Sequence, residues 1–333
     1  MTGYERYMGV VHGTGADVLP RIPIVMQFAA EFIGSHYGAF AAEYQTLVQA
    51  NLRCAEAFGF DQVSAISDPY RETEGFGGTV TYIRDGVPRC TAPLEEVKDL
   101  ALLKTPDPLV SMRMLDRVEA IRAYARECRG RYSILGWVEG PAAEAADLRG
   151  VMNFLTDTAE DPAFTELLMD RCLETGIAFA RAQIQAGADT VGIGDAIASQ
   201  ISPEFYGAVI QPREKVLIRA IQESGALARL HICGDITHLL PGIRDLGVDI
   251  LDLDHMVDPA KARAAVGPDV VLSGNIDPVG GVMQGRPDTI RAIIKATYAA
   301  AGNPFMVNAG CEIPARTPPE HLAALCEPIP YAT

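Results

Sequence analysis

Basic residues are scarce in this chain of 333. It has 28 lysines and arginines against 43 aspartates and glutamates, a formal net charge of −15. Such a chain has no cationic field with which to displace counterions from a polyanion, which excludes a nucleic-acid or anionic-membrane partner. No apolar run reaches the roughly 18 residues that span a bilayer. The opening Met1-Thr2-Gly3-Tyr4-Glu5-Arg6 lacks the basic-then-apolar pattern of a leader. Low-complexity tracts and short repeats are missing too. Seven cysteines, an odd number spread over a long chain, do not read as a disulfide framework. A cytoplasmic protein is therefore expected. Apolar residues are plentiful: 48% hydrophobic against 21% charged supports a substantial core and argues against disorder.

Short β-rich runs alternate with helical patterns along the chain. Ile22–Phe28, Gln62–Ile66, Tyr132–Val138, Thr190–Ile193, Leu227–Ile232, Asp249–Leu253, Val270–Ser273 and Phe305–Asn308 read as eight main strands. Nearly all are continuously apolar, as parallel strands covered on both faces must be. Thr79–Ile83 adds a hairpin strand, and Leu94–Leu100 reads as an extra helix. The helix Pro162–Ala186 is opened by Asp161 as cap with proline in the first turn. Others are expected at Glu43–Phe58, Leu109–Cys128, Pro203–Glu223, Ile236–Leu246, Pro259–Ala265, Pro287–Ala301 and Pro318–Leu325. Eight alternations in a chain of this length predict one (β/α)8 TIM barrel domain over residues 1–333, with N-terminal helical and hairpin additions.

In such barrels chemistry sits where the strands end. His231-Ile232-Cys233-Gly234 closes the fifth strand, and Cys311 follows the eighth, 78 residues after Cys233. Asp68 follows the second strand, Glu139 the third and Asp195 the fourth. Asp254 and His255 follow the sixth, and Asn275 and Asp277 the seventh. An imidazole and a thiol two residues apart on an extended segment point to the same side. With Cys311 they form a three-donor set for Zn²⁺ with one position left for a substrate. The competing reading is a core histidine and two packed thiols. Cys54, Cys172 and Cys326 sit in helical patterns and read as buried hydrophobes.

Five stretches together resemble the uroporphyrinogen decarboxylase superfamily, and within it the zinc-dependent corrinoid methyltransferases. They are Ser67-Asp68-Pro69; Gly192-Ile193-Gly194-Asp195 leading to Ile201-Ser202-Pro203-Glu204; His231-Ile232-Cys233-Gly234; Gly274-Asn275-Ile276-Asp277-Pro278; and Asn308-Ala309-Gly310-Cys311-Glu312-Ile313-Pro314 with Thr317-Pro318. The resemblance implies a zinc ion on His231, Cys233 and Cys311, and methyl transfer to or from the cobalt of a corrinoid (cobalamin) carried by a partner protein. The decarboxylase is the runner-up. Its substrate carries eight carboxylates and needs arginines, yet Met26-Gln27-Phe28-Ala29-Ala30-Glu31 has none. Cobalamin-independent methionine synthase ranks third, being far longer. A barrel with structural zinc, or a binder without turnover, is the remaining class.

Two jobs exist in the resembling branch: methylating a thiol, as coenzyme M methyltransferases do, or demethylating a small donor such as a methoxylated aromatic. Ser67-Asp68-Pro69-Tyr70-Arg71-Glu72 favours the second. There zinc takes the ether oxygen, and Asp68 or Glu139 protonates the leaving alkoxide. Asp195 is a third candidate acid, with a helix cap as its plain alternative. Tyr70, His255, Asn275 and Asp277 are expected to face substrate or corrinoid. Asn275 and Asp277 can equally order their own loop. Glu312 is a candidate displaceable fourth ligand.

Overall fold

The computed structural model describes residues 1–332. Seven parallel strands run in the order β1 (Gln62–Ser64), β4 (Ser133–Glu139), β5 (Thr190–Gly194), β6 (Leu227–His231), β7 (Ile250–Leu253), β8 (Val271–Ile276) and β9 (Phe305–Ala309). A separate antiparallel hairpin pairs β2 (Val80–Ile83) with β3 (Gly86–Cys90). The predicted first strand, Ile22–Phe28, is not a full strand. Pro20–Ile24 instead closes the barrel as a bridging segment. The N–H of Ile22 donates to the Val307 carbonyl (2.8 Å), that of Val307 to Pro20 (2.7 Å), and that of Asp61 to Arg21 (2.8 Å). Pro20 and Pro23 carry no N–H, so a continuous ladder cannot form here. The residues beyond turn helical over Gln27–Phe32. The eighth barrel position is thus filled, and the fold is a (β/α)8 barrel.

The barrel interior is layered. Tyr7, from the N-terminal helix Gly3–Val11, plugs the lower end with Ile22, Ile250, Val271 and Met306. A capping box between Thr2 and Glu5 starts that helix. Above the plug lies a buried polar layer of Gln62, Arg229, Asp252 and Ser273. Trp137 fills the level above, against Ile24, Ile66 and Leu135. It fits because Gly192 opposes it across the ladder; a Cβ there would lie 2.2 Å from the indole.

Pro162–Ala186 forms with the expected bounds and its Asp161 cap. Leu94–Leu100 does not become a helix; only Leu100–Leu102 makes a short 3-10 turn. The Arg149 guanidinium takes the Leu94 and Glu95 carbonyls at 2.6 and 2.7 Å, groups a helix would need for its own ladder. Pro203–Glu223 is interrupted by a π turn over Tyr206–Ile210, just before Pro212. Of the helix expected over Ile236–Leu246, only Leu240–Arg244 forms. Two helices without a sequence-level expectation, Pro141–Arg149 and Val151–Glu160, fill the span after β4. The first is buried along nearly its whole length, so it shows no amphipathic period to read.

Candidate metal centre and adjoining cleft

His231 ends β6, Cys233 follows two residues later, and Cys311 follows β9. Barrel closure brings the three together. His231 Nε2 lies 3.2 Å from Cys233 Sγ and 3.8 Å from Cys311 Sγ, and the two sulfurs are 3.5 Å apart. Tetrahedral zinc with its usual bond lengths sets nitrogen–sulfur edges near about 3.6 Å and sulfur–sulfur edges near about 3.8 Å. The donor triangle fits a zinc ion within a few tenths of an ångström. Among the described residues this is the one such group of histidine, cysteine and carboxylate donors.

The imidazole is oriented from behind. In the ladder His231 pairs with Asp252 on β7, and Nδ1 donates to Asp252 Oδ2 at 2.9 Å, leaving Nε2 for the thiols. Asp252 also accepts from Arg229 Nε at 2.8 and 2.9 Å and from the Ser273 hydroxyl. Burial would raise the pKa of Asp252, but Arg229 and His231 outweigh it and hold it at about 2. This is the carboxylate–histidine support typical of metal ligands. Trp137 meets the His231 ring edge-on at 5.8 Å. The hydrogen bond from Cys233 favours the thiolate at Cys311, whose pKa falls, while that of Cys233 rises in return. Asp254 holds the loop by accepting from the N–H of Gly234 at 2.9 Å. Sequence reasoning missed Asp252 and Arg229. Their signal was the i, i+2 pairs Arg229/His231 and Asp252/Asp254 on consecutive strands, which put four polar groups on the inward side.

Cys233 and Gly234 line a cleft of about 470 Å³. Glu139, Asp147, Ser199, Gln200 and Ile197 share its wall. Glu139, at the end of β4, receives Arg71 Nη2 at 2.5 Å. Burial pushes Glu139 well above the usual carboxylate range despite Arg71, and pushes Asp147 up to about 7. Asp147 had no sequence-level signal, since it comes from the helix Pro141–Arg149, whose other residues are all buried and give no amphipathic period.

The other candidates separate from this cleft. Asp68 sits under Arg113, which donates to both its oxygens at 2.7 Å, while Ser67 Oγ and the N–H of Tyr70 complete the cage. Burial would raise its pKa, but Arg113 outweighs it and holds the carboxylate well below the usual range. With both oxygens so engaged, Asp68 anchors its loop to Arg113 and stands apart from the cleft wall. Asp195 is fully buried and accepts from the N–H groups of Ala143 (2.7 Å) and Ala142 (3.4 Å). It caps the helix Pro141–Arg149 across Gly140, its alternative reading, and does not reach the cleft wall. Glu312 lies outside the donor triangle; its Oε1 accepts from the N–H of Gln27 at 3.1 Å, where that helix starts. A carboxylate at a helix N-terminus is well placed there, and in this structure that is where Glu312 is engaged. His255, Asn275 and Asp277 line a different groove of about 530 Å³. Asn275 donates to the Asp254 and Val257 carbonyls at 3.2 and 2.6 Å, and Asp277 caps the turn at Val279 and Gly280. Both order their loops. His255 Nδ1 pairs with Asp254 at 2.8 Å. Tyr70 is half-buried, its N–H spent on Asp68.

No helix among the described residues is long and apolar enough to cross a membrane. The sequence pattern of the uroporphyrinogen decarboxylase (URO-D) family matches residues 2–329. Methylcobamide:CoM methyltransferase MtbA of Methanosarcina mazei is 28% identical over 339 residues, covering 98% of each chain. Uroporphyrinogen decarboxylase of Microcystis aeruginosa is 26% identical over 341 residues, covering 97% of this chain and 96% of that one. A solved methyltransferase from Methanosarcina mazei has the same fold, with a TM-score of 0.89 at 23% identity over 98% of this chain and 97% of the other. With one family pattern running almost from end to end, the chain belongs to the uroporphyrinogen decarboxylase family.

Proposed function

We propose that this chain is a single-barrel, cytoplasmic corrinoid-dependent methyltransferase that carries a methyl group from the cobalt of a corrinoid on a partner protein to a small thiol. The observation that carries this reading is the convergence of one imidazole and two thiols, 3.2–3.8 Å apart, beside a small-molecule cleft. Likeness to methylcobamide:CoM methyltransferases along nearly the whole chain favours the thiol over the methoxylated donor suggested by Ser67–Glu72. The decarboxylase alternative is disfavoured because the cleft wall has no arginine or lysine for a polycarboxylate.

His231, Cys233 and Cys311 would hold zinc, which supplies the Lewis acidity that lets a thiol lose its proton near neutral pH. The protein's own contribution is positioning. Asp252 fixes the imidazole so that Nε2 points at the sulfurs, and Asp254 pins Gly234 so that Cys233 stays at the cleft. In the transfer the sulfur lone pair forms the new S–CH₃ bond. The Co–C bond breaks with both electrons kept by the corrinoid, and the thiol proton passes to solvent. Two half-buried thiolates and a neutral imidazole would balance a dication, so the centre would keep little net charge to be desolvated.

The test is metal analysis of wild type and Cys311→Ala, then methylcobalamin demethylation with 2-mercaptoethanol, following the corrinoid spectrum and the S-methyl product by mass spectrometry. One zinc per wild-type chain, lost in the variant together with turnover, is expected. Wild-type protein that takes up no zinc sinks the reading.

A further inference from the structure

Asp147 is half-buried in the cleft wall with its carboxylate open to the cleft, and no described residue donates a hydrogen bond or an ion pair to it. Glu139 stands in the same wall. Behind them lie Glu72 and Glu144, both buried. The cations nearby are already committed. Arg113 is spent on Asp68, and the fully buried Arg71 serves Glu139 and Glu72. One guanidinium therefore faces four carboxyl groups, and the cleft wall itself carries no lysine, arginine or histidine.

Two carboxyl groups lining one cleft without a cation among them favour a positively charged occupant, since a like charge nearby disfavours ionising both and an opposite charge restores it. An anionic substrate would lie against two carboxyl groups with no donor to receive it. An ammonium brings three donors, matching the free acceptors of Asp147 and Glu139. The small side chains of Ala143 and Ala146 leave room, and Ile197 adds an apolar wall, for a short methylene chain between that end and Cys233.

We propose that the acceptor is a short aminothiol, its ammonium held by Asp147 and Glu139 while its sulfur lies at the Cys233 end of the cleft. This rests on the thiol reading above and narrows it: the site selects cations and rejects anionic thiols such as a sulfonate. Asp147 and Glu139 are then specificity-determining residues.

The test compares 2-aminoethanethiol, 2-mercaptoethanol and 2-mercaptoethanesulfonate as acceptors with the zinc-loaded protein. It also measures, by calorimetry, binding of their S-methyl products, which do not strip zinc. The aminothiol and its product are expected to be favoured over the sulfonate by about tenfold or more, with the neutral compound between, since like-charge contacts are strongly disfavoured. Asp147→Asn and, separately, Glu139→Gln should narrow that ratio, with circular dichroism checking that each variant folds. Equal or better use of the sulfonate overturns the charge preference while leaving thiol methylation standing. Failure of all three thiols and their products overturns both.

Discussion

His231 and Asp252 face each other on adjacent strands of the barrel, Nδ1 to Oδ2 at 2.9 Å, and Asp252 is in turn clamped by Arg229. One carboxylate thus serves two masters: it aims a metal-ligand imidazole and neutralises a buried guanidinium.

That double duty separates two substitutions. Asp252→Asn keeps the shape but loses the charge, and should weaken zinc affinity by roughly 10–100-fold. Both variants strip Arg229 of its counter-charge, but Asp252→Ala also removes the oxygen that accepts from its guanidinium, and should cost more stability, roughly 3–5 kcal/mol. Competition with a chromogenic chelator and urea unfolding would read the two effects apart. Unchanged zinc affinity in both variants would remove Asp252 from the supporting role.

Trp137 is the single tryptophan of the chain and lies edge-on to His231 at 5.8 Å. Its fluorescence should therefore report metal loading, changing on zinc titration in wild type and not in Cys311→Ala. Gly192→Ala puts a methyl where the indole now sits, 2.2 Å away. Overpacking there should cost roughly 1–3 kcal/mol and shift the emission maximum.

Asp68 titrates below its ordinary value because Arg113 outweighs burial. A depressed acid contributes stability that is present above its unfolded pKa and is lost as pH falls through the folded one. Stability should therefore drop as pH falls below about 4, and Asp68→Asn should flatten that limb. Arg113→Met should cost roughly 3–5 kcal/mol at pH 7 by stranding a buried charge. Urea midpoints from pH 7 downward would check both.

Asp147 has the opposite sign, burial raising it to about 7. The folded state then favours its neutral form. The corresponding stability is full below about pH 4 and is lost as pH rises towards 7. Asp147→Asn should gain stability relative to wild type at pH 8 compared with pH 4. A pH-independent difference between the two proteins would count against a raised pKa.

Much of the scaffold could be read from local pattern. Continuous apolar runs alternating with helices marked the barrel, and Asp161-Pro162 marked the start of its longest helix, because caps and strand periods depend on a few neighbouring residues. The first strand could not be read that way. An apolar run flanked by Pro20 and containing Pro23 looks extended, but its missing donors, and not its hydropathy, limit this segment to a few backbone hydrogen bonds to Val307 and Asp61. The Ala-rich helix Pro141–Arg149 stayed invisible because burial on all sides erases the periodicity that reveals a helix.

The same division runs through the site. His231 closes β6 and Cys233 follows two residues on, a spacing short enough to bring both donors to one place, and that much the sequence by itself determined. Tertiary structure alone decided which polar residues met them. Closure of the barrel delivered Cys311 and set Asp252 in register with His231. It gave Asp68 to Arg113, Asp195 to the Ala142–Ala143 amides and Glu312 to Gln27, and it brought Asp147 to the cleft. Each partner lies on a distant segment, so the carboxylates that are anchors and those that face a substrate are distinguished only once long-range packing has allotted the cations and amide donors.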